Sequence, residues 1–178
     1  VAVRVREATP ADTEAIVSVT VAGWRTAYRD IVAPEKLADL PIDRWRHEVG
    51  VGLRRPVDDA FTYVAEIDGV FAGYCFVAAP GRESDLGPDV AELVAIYVDP
   101  DQWRSGAGTA LMDAATERLA GLPYSEVVLW AFAGNHRAIA FYERQGWRAD
   151  GAEKIHGRSG ARAVRYRRTA GDAGRPQQ

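Results

Sequence analysis

Cysteine occurs once in the 178 residues, as Cys75, which excludes an internal disulfide and any cysteine-based metal cluster. Histidine is nearly as scarce: His47, His136 and His156 are scattered without ligand-like spacing, so no metal is expected. Lys36 and Lys154 are the only lysines beside twenty arginines, and the formal net charge is −3. That balance lacks the global positive field of a nucleic-acid binder, so any anion site has to be local. No apolar run approaches the roughly 18–20 residues that cross a bilayer, and residues 1–6 hold no secretory apolar region. No membrane partner is expected, and the expected setting is reducing and cytoplasmic.

What remains is ordinary globular material. At 47% hydrophobic and 26% charged, the chain has enough apolar residues for one core, expected over residues 1–168. From Thr169 onward Gly171, Gly174, Pro176 and two glutamines have nothing to bury, so 169–178 is expected as a flexible tail. Val1, Val3 and Val5 alternate with polar or small residues as in a half-buried strand. Thr9, Pro10 and Asp12 then open a helix whose face carries Ile16, Val19, Gly23 and Ala27. A second helix is suggested over 34–49, interrupted at Pro41. Phe61 to Ile67 and Val70 to Ala79 read as a hairpin around Asp68-Gly69. The run from Glu92 to Val98 is almost continuously apolar and reads as a central strand.

Between that strand and a helix over 106–119 lies Trp103-Arg104-Ser105-Gly106-Ala107-Gly108-Thr109. Successive main-chain N–H groups at such a helix start form an anion site, and glycines at 106 and 108 permit positive φ and close approach of a ligand. The plainer alternative is a turn whose glycines serve packing. A P-loop would need Gly-Lys-Ser/Thr, and a dinucleotide fingerprint a third glycine where Leu111 stands, so neither reading holds. A strand over 125–132 follows, then a helix capped by Asn135 and closed by Gly146. Two terminal strands end the domain, the last carrying Arg162, Arg165, Arg167 and Arg168, read as the exposed face of an edge strand.

The 104–109 turn, followed by Asn135-His136-Arg137-Ala138-Ile139-Ala140-Phe141-Tyr142-Glu143-Arg144-Gln145-Gly146-Trp147, resembles the GNAT superfamily of acetyl-CoA-dependent N-acetyltransferases. Arg6-Glu7-Ala8-Thr9 with Asp12 is similar to its usual opening, Trp24 to Tyr28 followed by Pro34 to the substrate-side helices of many bacterial members, and Ile96-Tyr97-Val98-Asp99-Pro100 to its central strand. The resemblance implies an α/β fold with a mixed, mostly antiparallel sheet of about seven strands and about four helices, splayed between the fourth and fifth strands. It further implies that acetyl-CoA lies in that splay, with its diphosphate on Arg104, Ser105, Gly106, Ala107, Gly108 and Thr109. Its pantetheine arm would lie against the main chain of Ile96 and Val98 and beside Asn135. One departure stands out: the family usually has Arg or Gln where this chain has Trp103, which implies a modest change at the nucleotide end of the coenzyme.

The chemistry poses two proton problems. An alkylammonium of pKa about 10.4 is free amine at only about one part in 2,500 at pH 7, a handicap of about 4–5 kcal/mol. Glu92, a carboxylate opening an apolar strand, is the candidate base; its alternative reading is a solvated or salt-bridged strand-end residue. The departing thiolate is helped by a phenol, and Tyr142 matches the family's acid by position, against the alternative of an aromatic in a core stripe. Trp24 and Tyr28 share a helix face, and Tyr97 and Trp130 stand on the splayed strands; each is either a wall of the acceptor pocket or core packing. His156 and Arg158 read as turn residues. The expected function is acetyl transfer to a small-molecule amine. A peptide amine acceptor, or a non-catalytic acyl-CoA-binding module, is the alternative. An exposed edge strand allows a homodimer.

Overall fold

A computed structural model describes residues 2–171 of the protein. Seven strands form one sheet: β1 (Val3–Glu7), β2 (Phe61–Ile67), β3 (Val70–Ala78), β4 (Val90–Val98), β5 (Glu126–Phe132), β6 (Arg148–Ile155) and β7 (Arg162–Thr169). Their order across the sheet is β1-β2-β3-β4-β5-β7-β6, and only β4 and β5 run parallel. Helices α1 (Thr13–Ala27), α2 (Pro34–Ala38) and α3 (Ile42–Arg54) precede the main hairpin, α4 (Ala107–Ala120) follows β4, and α5 (His136–Arg144) follows β5. Leu111, Met112, Ala115 and Leu119 of α4 pack with Tyr142 and Trp147 in the largest apolar cluster, whereas Trp24 and Ile16 of α1 lie in two separate ones.

Several local forms follow from short-range chemistry. The β2–β3 turn takes positive φ at both Asp68 (50°) and Gly69 (84°), the two-residue geometry that Asp-Gly favours because it matches strand twist. Pro41 splits the segment expected as one helix into α2 and α3, since it supplies no N–H to continue a ladder, and α3 runs on to Arg54. The count is therefore five α-helices instead of about four. Pro10 opens a single 3₁₀ turn, and regular α-helix begins only at Thr13.

Two expectations about the C-terminal strands are corrected. β7 is not an edge strand: it lies between β5 and β6, so Arg165 and Arg168 are each only 7% exposed. Arg165 satisfies its charge on Asp85 and Asp150, both at 2.7 Å. Thr169, expected to open the tail, is the last residue of β7, and Ala170 is buried with its N–H on Ser125 O. The remainder of that expected tail, 172–178, lies outside the described residues.

The β-strand entering α1 is fastened by charge. Arg6 reaches Asp12 through two nitrogens (2.8 and 2.9 Å) and Glu66 through a third (2.7 Å), while Asp12 also accepts from the Thr9 N–H and hydroxyl. The hydrogen bond from Arg6 chiefly holds the Asp12 carboxyl down at about 2, against the opposing effect of burial. A folded-state value below the unfolded 3.8 gives stability that is present above pH 4 and lost as pH falls through 2. Asp12→Asn is expected to cost about 2 kcal/mol at pH 7. In urea titrations at successive pH values, the gap between variant and parent should close as pH drops from about 4 to 2.

Candidate active site

The site begins with a strand that leaves its neighbour. β4 and β5 pair only at Val90–Glu126, Ala91–Val127 and Glu92–Val128; beyond that point they diverge. The register of β4 against β3 slips between Phe76 and Val77, leaving Val94 as an extra residue. Such a bulge bends the strand and changes which face the following side chains take. Its effect here is specific: Glu92 and Tyr97, five residues apart and hence on opposite faces of a regular strand, line one cleft.

On its opened side β4 offers main-chain groups. The Asp99 N–H donates to Ala72 O on β3 (2.8 Å), and the register pairs Gly73 with Val98 and Cys75 with Ile96. Alternation of an antiparallel ladder then turns the N–H and C=O of Val98 and Ile96 away from β3, toward the opening. The Val98 carbonyl already accepts the Trp103 indole N–H at 2.9 Å, and the Arg137 guanidinium stacks on that indole. Position 103 thus serves the strand end, and the nearest cation comes from α5.

Where the strand meets α4, Arg104 (φ 70°) and Gly106 (φ 92°) are both left-handed. A non-glycine held there costs roughly 1–3 kcal/mol and is characteristic of ligand-binding turns. The N–H groups of Arg104, Gly106, Gly108 and Thr109 have no acceptor among the described residues, the last two because they open a helix. Gly108 is helical, so the expected positive φ holds for Gly106 alone. A Cβ at Gly108 would meet only Phe141 and Val98, both at 3.7 Å, which is ordinary contact. Packing therefore does not demand glycine at 108. These amides, with no basic side chain required, fit the diphosphate of a coenzyme. Asn135 stands at the head of α5 on the other side of the opening, its side chain accepting from the Ala138 N–H.

On the α1 side lies a cleft of about 250 Å³. Trp24, Tyr28, Glu92, Tyr97 and Trp130 all line it, together with Phe132, Arg82, Lys154 and His156. Trp24 meets Tyr28 edge-on at 5.1 Å, Tyr28 meets Phe132 at 4.7 Å, and the Tyr28 and Tyr97 hydroxyls are 3.4 Å apart. Gly23 on α1 makes room for the Tyr97 ring, whose edge would lie 2.7 Å from an added Cβ. Burial pushes the Tyr97 phenol well up and the Tyr28 phenol up, so both keep their protons at neutral pH.

Glu92 stands at the fork itself and is 3% exposed. Its carboxylate accepts from the Arg82 N–H, Nε and Nη2 at 3.1–3.2 Å, so of its expected readings the ion pair is present and the solvated strand end is not. Tyr142 does not line this cleft. It projects from α5 among the α4 cluster, 9% exposed, with no hydrogen-bond partner for its hydroxyl among the described residues. Burial chiefly, and the Tyr28 phenol secondly, hold its proton on.

Sequence reasoning missed His156 and Lys154, taking the former as a turn residue. His156 packs on Trp24 and Phe132 at 5.8 and 5.4 Å. The available signal was their two-residue spacing across Ile155, which turns Lys154 near the end of β6 and His156 just after it to the same side. The strand order that brings β6 within reach of β5 could not be read locally.

The fold sets a groove between two parted strands against a turn with left-handed residues and amides that are free among the described residues. The chain matches the acetyltransferase (GNAT) family over residues 23–147 and belongs to it. It is 32% identical over 145 residues to YuaI of Bacillus subtilis strain 168, described as an uncharacterized N-acetyltransferase, covering 79% of this chain and 78% of that one. A mycothiol acetyltransferase of Sanguibacter keddieii is 31% identical over 101 residues, 56% of this chain, which spans about a third (32%) of that relative. Among solved structures, the PaiA N-acetyltransferase of Thermoplasma acidophilum in complex with coenzyme A superposes with a TM-score of 0.73 at 17% identity, over 93% of this chain and 98% of that one. YncA of Salmonella typhimurium with acetyl-CoA gives 0.71 at 15% identity, over 99% of both.

Gly108→Ala separates the two uses of the turn. Alanine near a helix start should raise stability by up to about 1 kcal/mol. Calorimetry should nevertheless show coenzyme A binding weakened about tenfold or more, the worth of one obstructed contact of about 1.4 kcal/mol.

Proposed function

We propose that this acetyltransferase moves an acetyl group from acetyl-CoA to a primary amine of a small molecule, by direct attack of the amine within a ternary complex. The observation that carries the reading is the opening after Glu92. It joins an amide-lined turn at one end to an aromatic cleft at the other, with unpaired main chain of β4 along the way.

In this reading the Arg104–Thr109 amides hold the diphosphate, and the turned-out groups of Ile96 and Val98, with Asn135, align the pantetheine arm as an added strand would. The thioester then reaches the fork beside Glu92. There the amine forms a C–N bond as the C–S bond breaks. Glu92, oriented by Arg82, accepts the proton that the amine must shed, directly or through water. Tyr142 faces the departing sulfur. A phenol so weakly acidic stabilises a thiolate of pKa near 8.5 by donating a hydrogen bond, while solvent supplies the proton that completes the free thiol.

The cleft favours a small acceptor over a protein. Its volume falls just below the roughly 300–1,000 Å³ usual for small-molecule sites, and its walls are aromatic side chains from α1, β4 and β5. Cys75 carries no acyl group in this scheme, because burial pushes its thiol up to about 12 and its Sγ points at Leu111 O.

Tyr142→Phe is expected to lower kcat by about 10²–10⁴ while acetyl-CoA affinity, measured calorimetrically, stays within twofold or so. Glu92→Gln should lower kcat/KM by a similar factor. Part of that loss should be recovered at high pH, where the amine is deprotonated without help. Release of coenzyme A thiol across an amine panel is the readout, and tight acetyl-CoA binding with no release from any amine would instead mark a non-catalytic module.

A further inference from the structure

The acceptor cleft has two chemically different ends. At the fork stands Glu92, already holding three donors from Arg82. At the far end β6 presents Lys154 and His156, with Trp130 of β5 between the two ends.

The far end is rich in donors and poor in acceptors. Lys154 Nζ sits 4.1 Å over the Trp130 ring and gives one hydrogen to Glu83, leaving two unassigned. The tautomer of His156 is fixed by its surroundings: the Ser159 N–H donates to Nδ1 at 3.2 Å, and the Ser159 hydroxyl contacts the same nitrogen at 2.9 Å. A ring accepting at Nδ1 carries its proton at Nε2 when neutral, so it donates and cannot act as a base there. The Trp130 indole N–H is buried without an acceptor among the described residues. With almost no accessible surface it is screened from an occupant of the cleft, so the donors this end offers are those of Lys154 and His156.

Charge points the same way. The acidic groups near this end are engaged: Glu83 by Lys154, Glu92 by Arg82, and Asp85 with Asp150 by Arg165. After burial, the charges that depress the His156 imidazole most are Lys154 and Arg158, both cations. A second ammonium on the substrate would find, among the described residues, no carboxylate here without its own cation, and the aromatic face of Trp130 already covered by Lys154 and flanked by Arg165.

We propose that the acceptor amine carries an anionic group, a carboxylate or phosphonate, bound at the β6 end by Lys154 and His156 Nε2–H. This leaves the amine of the same molecule directed at Glu92, and the inference rests on the reading of this cleft as the acceptor site. The class it names is the amino acid or aminophosphonate, small enough to lie between the fork and β6.

The test uses matched pairs: α-amino acids and 2-aminoethylphosphonate, each beside its amide, ester or decarboxylated counterpart. Thiol release from acetyl-CoA and calorimetric binding to the desulfo-coenzyme A complex are both measured. The anionic member is expected to lead by about 10- to 100-fold in kcat/KM and in affinity. Lys154→Met should collapse that ratio, and Lys154→Arg should keep most of it, which guards against a mere folding defect. Equal or better use of the neutral members, or a ratio unmoved by Lys154→Met, overturns the proposal. The calorimetric arm keeps the two readings apart. Anion-dependent binding without thiol release upholds this site while acetyl transfer fails, and thiol release without anion preference does the reverse.

Discussion

The separation of β4 from β5 is the constraint on which the rest depends. Three paired residues hold the two strands at one end, and an extra residue at Val94 bends β4 away from that point. Had the pairing continued, the main chain of Ile96 and Val98 would be spent on β5 and no groove would exist. The same bulge brings Glu92 and Tyr97 onto one face, so a single irregularity both opens the groove and assembles one wall of the aromatic cleft.

Each side of the sheet then has its own task. The α4 and α5 side is densely packed, with Leu111 and Trp147 essentially inaccessible, and it fixes where the turn before α4 and Tyr142 stand. The α1 side is organised around aromatic rings packed edge-to-face with centroids 4.7–5.9 Å apart, leaving a cleft between them. Glycine is used differently on the two sides: at Gly106 for a left-handed backbone, and at Gly23 so that α1 can lie directly on Tyr97.

Much of this was legible in the residues because the signals are local. Alternation in Phe61–Ile67, the Asp68-Gly69 turn, the Asn135 cap and the Gly146 stop each act within a few residues, and each element formed where its pattern lay. The turn before α4 was legible too, although its glycines proved to have different duties. What could not be read depends on long-range order. Arg165 and Arg168 look like the face of an edge strand until β6 is known to pair outside β7. Lys154 looks like one residue of a terminal strand, and His156 like a turn residue, until that same pairing carries them to the cleft. The bulge at Val94 has no composition signal at all, since it lies in an unbroken apolar run.

A sheet parted in its middle carries two internal borders where most sheets have none, and bare strand borders invite edge-to-edge association with other chains. Trp103 blunts one of them: its indole caps the Val98 carbonyl, and the stacked Arg137 sets a charge over the spot. The residue that departs from the family's usual pattern is therefore the one that covers a main-chain acceptor on this seam.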